Sequence, residues 1–259
     1  MIDTHAHIDF ECYENKIDEI LNNAKNNGIE KIIIPGVRPK EYKKIINLIE
    51  KYDFLYGAVG VHPSETGEYN EEVRSQILEL AKHPKIVAVG EIGLDYYWDK
   101  TTIDAQKKMF IEQINIAKEV GKPILVHDRD AHEDTLTILK ETQAGDVGVV
   151  MHCFSGSVEF AQQCVKEGYY IALGGVVTFK NAKKPKEVAQ KIPLEKLLLE
   201  TDSPYLTPTP YRGQENEPAY VKYVAQEIAD LKGISVQEVD MQTTKNADEL
   251  FKFDRIENA

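Results

Sequence analysis

Histidine side chains follow short apolar runs at several points of the chain, and this placement suggests metal chemistry. His5 and His7 are two residues apart, so in an extended segment their side chains face the same side. His62, His127 and His152 each follow another apolar run. Imidazole nitrogens are common ligands of divalent ions. Because five of the seven histidines occupy such positions, we predict that they converge on a metal centre.

Two carboxylates share this placement and support the same prediction. Glu91 follows the apolar run that ends at Val89, and Asp202 follows the run Leu197-Leu198-Leu199. An unpaired carboxylate is costly to bury beside apolar residues, and a bound cation would remove that cost. Taken one at a time, His127 or His152 is better explained as a core histidine with satisfied hydrogen bonds. The combined set favours metal binding.

The elements that must position these residues are visible as two alternating kinds of segment. Helical segments carry apolar stripes, of which Ile17, Ile20, Leu21 and Ala24 are one example. Short β-branched runs are typical of parallel strands that are buried on both faces. We predict eight such strands, around residues 2, 32–34, 55–61, 86–89, 124–126, 147–151, 169–173 and 197–199.

Eightfold alternation of strand and helix predicts an α/β protein with a (β/α)₈ TIM barrel, as a single domain over residues 1–259. In that fold the active site lies at the C-terminal ends of the strands, where the ligand candidates stand. An open doubly wound sheet is the alternative. It more often carries a glycine-rich phosphate loop after the first strand, where this chain has Thr4-His5-Ala6-His7.

Composition limits the partners and the compartment. The 259 residues include 31 Lys and Arg against 43 Asp and Glu, a net charge of −12, which argues against broad adhesion to nucleic acid or anionic membranes. Three cysteines (Cys12, Cys153, Cys164) without a CxxC pair predict no disulfide framework. Residues 1–5 do not form a basic region followed by an apolar stretch, so we expect no secretory signal, and no apolar run is long enough to span a bilayer. We therefore expect a cytoplasmic protein with no membrane association, and we predict no obligate protein partner.

Eight motifs, in order along the chain, together carry a family resemblance. They are Asp3–His7, Gly60–Pro63, Gly90–Tyr96, Val126–Arg129, His152–Gly156, Glu200–Tyr205, Asn216–Pro218 and Thr244–Ala247. With these motifs the chain resembles the TatD family of metal-dependent hydrolases, within the wider amidohydrolase group of barrels. The resemblance covers essentially the whole chain.

The resemblance implies a centre of two divalent metal ions. One ion would be held by His5, His7 and Asp202, and the other by His127 and His152. By the same resemblance, Glu91 would bridge both. Many amidohydrolases use a modified lysine as the bridge, and the absence of a lysine beside Glu91 favours the TatD branch over those relatives. Family habit suggests Mg²⁺, whereas four histidine ligands suit Mn²⁺ or Zn²⁺.

Two ions of this kind suit hydrolysis of a phosphate ester by a metal-activated water. The resemblance implies DNA as the substrate, and we expect a deoxyribonuclease with 3′→5′ exonuclease activity on single-stranded or damaged DNA and its 3′ ends. The catalytic residues predicted are Asp202 as the acceptor of the water proton, together with Glu91 and His62. One alternative is a metal-dependent hydrolase of a small amide, lactone or aminoacyl ester. Another is a non-catalytic barrel that binds a partner, which would hold no metal tightly and would not be stabilised by divalent ions.

Further residues are candidates for contact with the substrate. His62, Arg129, Arg212 and Glu217 are predicted to bind it, Arg129 as a phosphate clamp. Packing, capping or simple solvation remains open for each. The rings of residues 96–98 would suit stacking on a base or packing in a loop. A lysine run over residues 180–186 is better explained as a solvated helix face than as a nucleic-acid track.

Overall fold

The computed structural model describes residues 1–98, 100–253 and 256. Strands and helices alternate through this part of the chain, as predicted. The strands are β1 Ile2–Asp3, β2 Lys31–Ile34, β3 Leu55–Val59, β4 Ile86–Asp95, β5 Ile124–Arg129, β6 Val149–Met151, β7 Tyr170–Leu173 and β8 Leu197–Leu199. The α-helices are α1 Ile17–Asn26, α2 Tyr42–Lys51, α3 Glu71–Leu80, α4 Ile103–Val120, α5 His132–Glu141, α6 Val158–Lys166, α7 Lys183–Lys191, α8 Val221–Lys232 and α9 Val236–Phe251.

The eight predicted strands are confirmed, and they occur in one sheet in the order of the chain, β1 to β8. The pairs with a defined register are all parallel. Their residues are almost all buried, which explains why they appear in the sequence as continuous apolar runs.

The predicted end of the fourth strand near residues 89–91 is wrong, because β4 continues through Glu91 to Asp95. Val89 pairs with Ile124 and Ile92 pairs with Val126, so β4 contains one more residue than β5 at Gly90 and Glu91. Such an irregularity re-aims side chains and is common beside active sites. β5 likewise continues past His127 to Arg129.

Gly93 makes this extended pairing of β4 and β5 feasible. Its φ is +143°, and a Cβ atom there would lie 2.0 Å from the carbonyl oxygen of His127. Only glycine tolerates both conditions. The backbone of β4 therefore approaches β5 closely at His127.

The chain divides into two compact units. The first comprises Met1–Ile34, Cys153–Val165 and Tyr170–Glu249. Within it the strands follow the order β7, β8, β1, β2. The amide of Thr4 donates to the carbonyl of Leu199 at 3.0 Å, which joins β1 to β8. Its core includes Ile32 and Leu198 from the strands and Val224 from α8, all fully buried.

The second unit comprises Pro35–His152, Lys166–Tyr169 and residues 250–253. It contains β3, β4, β5 and β6, with α2, α3, α4 and α5. The core includes Val59, Ala88 and Val126 from the strands and Phe110 and Ile114 from α4. The prediction of one domain over residues 1–259 stays a prediction.

Helix α4 carries two buried glutamines that hold the ends of strands. The amide of Val61 donates to Oε1 of Gln113 at 2.7 Å, and Nε2 of Gln113 donates to the carbonyl of Val61 at 3.0 Å. Gln106 makes the same pair of bonds with Asp95, at 2.8 and 2.9 Å. A side-chain amide has one donor face and one acceptor face, so it substitutes here for a neighbouring strand. Both contacts fix backbone beside predicted site residues.

Candidate metal centre

The first unit brings together His5, His7 and Asp202. Nε2 of His7 lies 3.4 Å from Oδ1 of Asp202, and Nε2 of His5 lies 4.0 Å from the same oxygen. One ligand atom from each residue lies within 4.8 Å of the others. Both histidines are buried. We call these three residues the first ligand set.

A buried carboxylate, Asp3, links the chain segments that carry the first ligand set. Its Oδ2 accepts from the hydroxyl of Thr201 at 2.6 Å, and its Oδ1 accepts from the amides of Thr201 and His5 at 2.9 and 3.2 Å. Burial raises the pKa of Asp3 to about 8, although these hydrogen bonds act in the opposite direction. The amide of Asp202 also donates to the carbonyl of His5 at 2.9 Å. The relative positions of His5 and Asp202 are therefore fixed from both sides.

The turn that carries Asp202 is held by Asn216, which is fully buried. Its Nδ2 donates to the carbonyls of Thr201 and Tyr205, at 2.9 and 2.6 Å. Asp202 has a φ of +54°, in the left-handed region that few non-glycine residues adopt. Hydrogen bonds on both sides of Asp202 maintain this conformation, which is typical of functional sites.

The second unit gathers another set of ligands around Glu91. Nδ1 of His127 lies 2.8 Å from Oε1 of Glu91, while Nε2 of His62 lies 3.5 Å and Nε2 of His152 lies 3.7 Å from that oxygen. Ligand atoms of His62, Glu91 and His127 lie within 4.8 Å of one another. We call Glu91, His127 and His152 the second ligand set, and His62 lies beside it.

His127 is held at both of its ring nitrogens. Nε2 lies 2.9 Å from Oδ2 of Asp95, opposite the contact between Nδ1 and Glu91. Burial by itself lowers the pKa of His127, but the hydrogen bonds with Asp95 and Glu91 outweigh burial and raise this pKa to about 9. Burial raises the pKa of Asp95, but the hydrogen bond and charge of His127 together with the backbone amides of Tyr97 and Trp98 outweigh burial, so this pKa is below its usual range. Metal-ligating histidines commonly have such a carboxylate behind them.

His62 is oriented by its own loop. Its Nδ1 accepts from the amide of Ser64 at 3.1 Å and lies 2.8 Å from the hydroxyl of that serine. Since Nδ1 is an acceptor, the neutral ring carries its proton on Nε2, which points to Glu91. His62 is thus a capping residue and also presents a donor to the second ligand set.

The donor chemistry of both sets fits divalent cations. Each set combines imidazoles, which bind metal ions in their neutral form, with at least one carboxylate. These side chains are partly or fully buried. Zn²⁺ and Mn²⁺ accept this mixture, and the carboxylates also suit Mg²⁺. In such a set a cation would relieve the crowding of carboxylate and imidazole lone pairs.

The predicted substrate residues have different surroundings. Arg129 is exposed at the end of β5, and its Cζ lies 3.9 Å from the ring centroid of Tyr97. Arg212 lies over the ring of Phe179, at 3.7 Å, and donates to a backbone carbonyl. Glu217 accepts a hydrogen bond from Asn23 of α1. Their roles in binding substrate stay predictions.

Comparison with known proteins adds the decisive observation. A family model described as "TatD related DNase" matches residues 2–252. The chain belongs to the TatD family. It is 50% identical over 252 residues to YabD of Bacillus subtilis, which is described as a metal-dependent hydrolase. This alignment covers 97% of the chain and 99% of YabD. It is 39% identical over 258 residues to YcfH of Escherichia coli, described in the same way, which covers 98% and 96%.

Structural comparison agrees with the family assignment. The crystal structure of YjjV, a TatD homologue from Escherichia coli, matches with a TM-score of 0.93 and 33% identity, over 97% of this chain and 98% of that chain. The predicted (β/α)₈ barrel class is thereby confirmed. This TatD-family chain is a metal-dependent hydrolase. Among its described helices, none has the length and apolar character needed to cross a membrane.

Sequence reasoning gave no role to several residues that hold the ligands. Asp3 and Asp95 stood inside quoted motifs but were not singled out. Asp95 is an even number of residues after Glu91, and this spacing places both on one face of a strand. That spacing was the available signal. Gln106 and Gln113 gave no signal, because a glutamine in an amphipathic helix ordinarily faces solvent.

Proposed function

We propose that this chain hydrolyses phosphodiester bonds of DNA, as a 3′→5′ exonuclease on single-stranded or damaged DNA. The observation that carries the proposal is the match of residues 2–252 to a family described by deoxyribonuclease activity, in a chain with two sets of metal ligands. Mg²⁺ is the proposed native ion, with Mn²⁺ or Zn²⁺ as the alternatives that the histidines favour.

The residues of the chain have separate tasks in this proposal. Bound divalent ions supply a water of lowered pKa and stabilise charge on the phosphoryl oxygens. Asp202 accepts the proton of the attacking water, since its carboxylate lies beside His7 and is partly exposed. His62 donates its Nε2 proton towards the leaving oxygen, because Ser64 fixes the ring in that tautomer. Glu91 orients the imidazoles around it and, as the resemblance implies, would be a ligand of the bound ions.

The acidic composition is compatible with an anionic substrate. The net charge of −12 repels DNA at long range. Two bound dications would outweigh the two carboxylates of Glu91 and Asp202, so attraction would be confined to the site. We therefore expect weak binding to DNA in the absence of metal, and a low tendency to coat duplex DNA.

The test is release of nucleotides from single-stranded DNA that carries a label at its 5′ end, with Mg²⁺ or Mn²⁺ present. We expect progressive shortening from the 3′ end, abolished by a chelator and reduced at least ~100-fold in His127→Ala. Equal release in all three reactions would contradict the proposal. Shortening from the 5′ end would retain the nuclease and overturn the direction.

A small amide, lactone or aminoacyl ester is the competing substrate class. It needs no phosphate contact, so Arg129→Ala should leave its hydrolysis unchanged while that of DNA falls. A substrate panel on the metal-loaded protein, covering DNA, RNA, nucleotide esters and amides, separates the two. Cytoplasmic location and independence from a protein partner stay predictions.

A further inference from the structure

Two large aromatic rings are exposed directly after β4. Trp98 is 71% exposed and Tyr97 is 53% exposed. Their centroids are 4.9 Å apart with an interplanar angle of 89°, so the rings meet edge to face. Large exposed aromatic side chains leave apolar area in water, and neighbouring ones often mark a binding surface.

The neighbouring cation is Arg129, which is itself exposed at the end of β5. Its guanidinium carbon lies 3.9 Å from the centroid of Tyr97 and 5.4 Å from that of Trp98. Within residues 1–98, 100–253 and 256, no carboxylate forms an ion pair with Arg129. A stacked guanidinium keeps its N–H donors in the plane of the group, where they can bind a phosphate in bidentate fashion. We call Tyr97, Trp98 and Arg129 the aromatic–arginine platform.

The platform is attached rigidly to the second ligand set. Arg129 is two residues after His127 on β5, so both side chains lie on one side of the strand, about 7 Å apart along it. Asp95 is paired in register with Arg129. Its Oδ1 accepts from the amides of Tyr97 and Trp98, at 2.9 and 3.3 Å, while its Oδ2 contacts His127. One carboxylate therefore fixes both the metal ligand and the platform.

We infer that the aromatic–arginine platform is a subsite for one unpaired nucleotide of a single-stranded nucleic acid, next to the phosphate that is cleaved. The base stacks on Trp98 and Tyr97, and Arg129 binds the adjoining phosphate. A base can offer its face to these rings only when it is unstacked from its own strand, so the subsite selects single strands and frayed ends over blunt duplex. This inference rests on the proposed function, because it assigns the substrate of the same site.

Trp98 is the only tryptophan of the chain, so its fluorescence reports on the subsite alone. The experiment titrates the metal-loaded full chain with a nuclease-resistant phosphorothioate octathymidylate. We expect saturable quenching, with an affinity at least ~10-fold lower for the same backbone without bases and for a blunt duplex. Binding of the octathymidylate is followed independently by anisotropy. If Trp98 fluorescence is unchanged when the anisotropy shows saturation, the inference is overturned. Equal quenching by the abasic strand would also overturn it.

Variants separate the contributions of the ring and the cation. Trp98→Ala should raise KM for single-stranded DNA about 10-fold or more with little change in kcat, and Trp98→Phe should restore most of the loss. Arg129→Ala should weaken binding. It should also reduce the slope of log affinity against log salt concentration by about one, because one phosphate contact is lost. Met241→Ala on α9 and Arg74→Ala on α3 are the matched controls, since Met241 is 66% exposed, close to Trp98, and Arg74 is another surface cation. A wild-type KM in Trp98→Ala would overturn the subsite.

Failure of the subsite and failure of the proposed function are distinguishable. Base-dependent quenching in a protein that hydrolyses no DNA would support the subsite and remove the nuclease proposal. Hydrolysis of DNA with unaltered KM in Trp98→Ala would retain the nuclease and remove the subsite.

Discussion

Oδ2 of Asp95 lies 2.9 Å from Nε2 of His127, on the side of the ring opposite Glu91. This contact leaves Nδ1 as the only nitrogen of His127 that can bind a metal ion. It also makes the ring more basic, because the carboxylate stabilises a proton on Nε2 when Nδ1 donates its lone pair. The metal ligand and its tautomer are therefore set by a residue that need not touch the ion.

We expect Asp95→Asn to weaken metal binding at the second ligand set by about 10- to 100-fold. The asparagine oxygen still accepts from the backbone beyond β4, but the side chain no longer carries the charge that holds Nε2. Isothermal titration of the metal-free protein with Mn²⁺ measures the affinity, and the absorption spectrum of bound Co²⁺ reports the geometry. Asp104→Asn, an exposed change at the start of α4, should behave as wild type; identical affinities in both variants would refute the role of Asp95.

The pH dependence of metal binding follows from the same contact. His127 has a pKa of about 9, so the metal-free ring is protonated at neutral pH. A metal ion needs the neutral ring, and its binding must displace that proton. We expect the affinity at this set to rise up to about tenfold per pH unit between roughly pH 6.5 and 8.5.

Proton release measures this linkage directly, by calorimetry in buffers of different ionisation enthalpy. The wild type should release about one proton more per chain than His127→Gln, in which the titrating group is gone. Equal release from the two proteins would show that His127 is already neutral in the metal-free state.

Much of this arrangement was predictable because parallel strands must be apolar along their whole length. The run Ile32-Ile33-Ile34 is typical of a strand that is buried on both faces. A polar residue that follows such a run is therefore easily recognised in the sequence. His5, His127 and Asp202 were found in this way. The resemblance supplied the grouping of the ligands, which spacing alone does not give.

The second half of β4 was not predictable from local pattern. Gly90 to Asp95 contains two glycines and two acids, all poor strand formers, and only pairing with β5 makes this segment a strand. The position of Arg129 was open for a related reason. Its side chain is arranged by Tyr97, and no periodicity links two residues that meet only through the pairing of neighbouring strands.

The buried glutamines give a prediction for stability. Gln113→Leu keeps the volume and the helix propensity but leaves the amide and carbonyl of Val61 buried without their partners. We expect a loss of about 2–4 kcal/mol in the free energy of unfolding, measured by urea denaturation. Gln76→Leu, exposed on α3, should change it by less than about 0.5 kcal/mol. Similar values for the two variants would mean that Val61 finds other partners.

Removal of one hydroxyl tests the link between the strands of the first ligand set. Thr201→Val takes away the donor 2.6 Å from Oδ2 of Asp3, which is fully buried. Valine has nearly the shape of threonine but no hydroxyl, so the buried side chain of Asp3 loses a hydrogen-bond donor without a change in packing. We expect the free energy of unfolding to fall by about 1–3 kcal/mol. Since Thr201 directly precedes Asp202, affinity for the ion at that set should fall as well, and the rise in melting temperature on adding Mn²⁺ should shrink. Thr137→Val on the exposed side of α5 is the control. A variant that loses stability but keeps the full Mn²⁺-induced shift would show that Asp3 supports the fold without positioning the ligands.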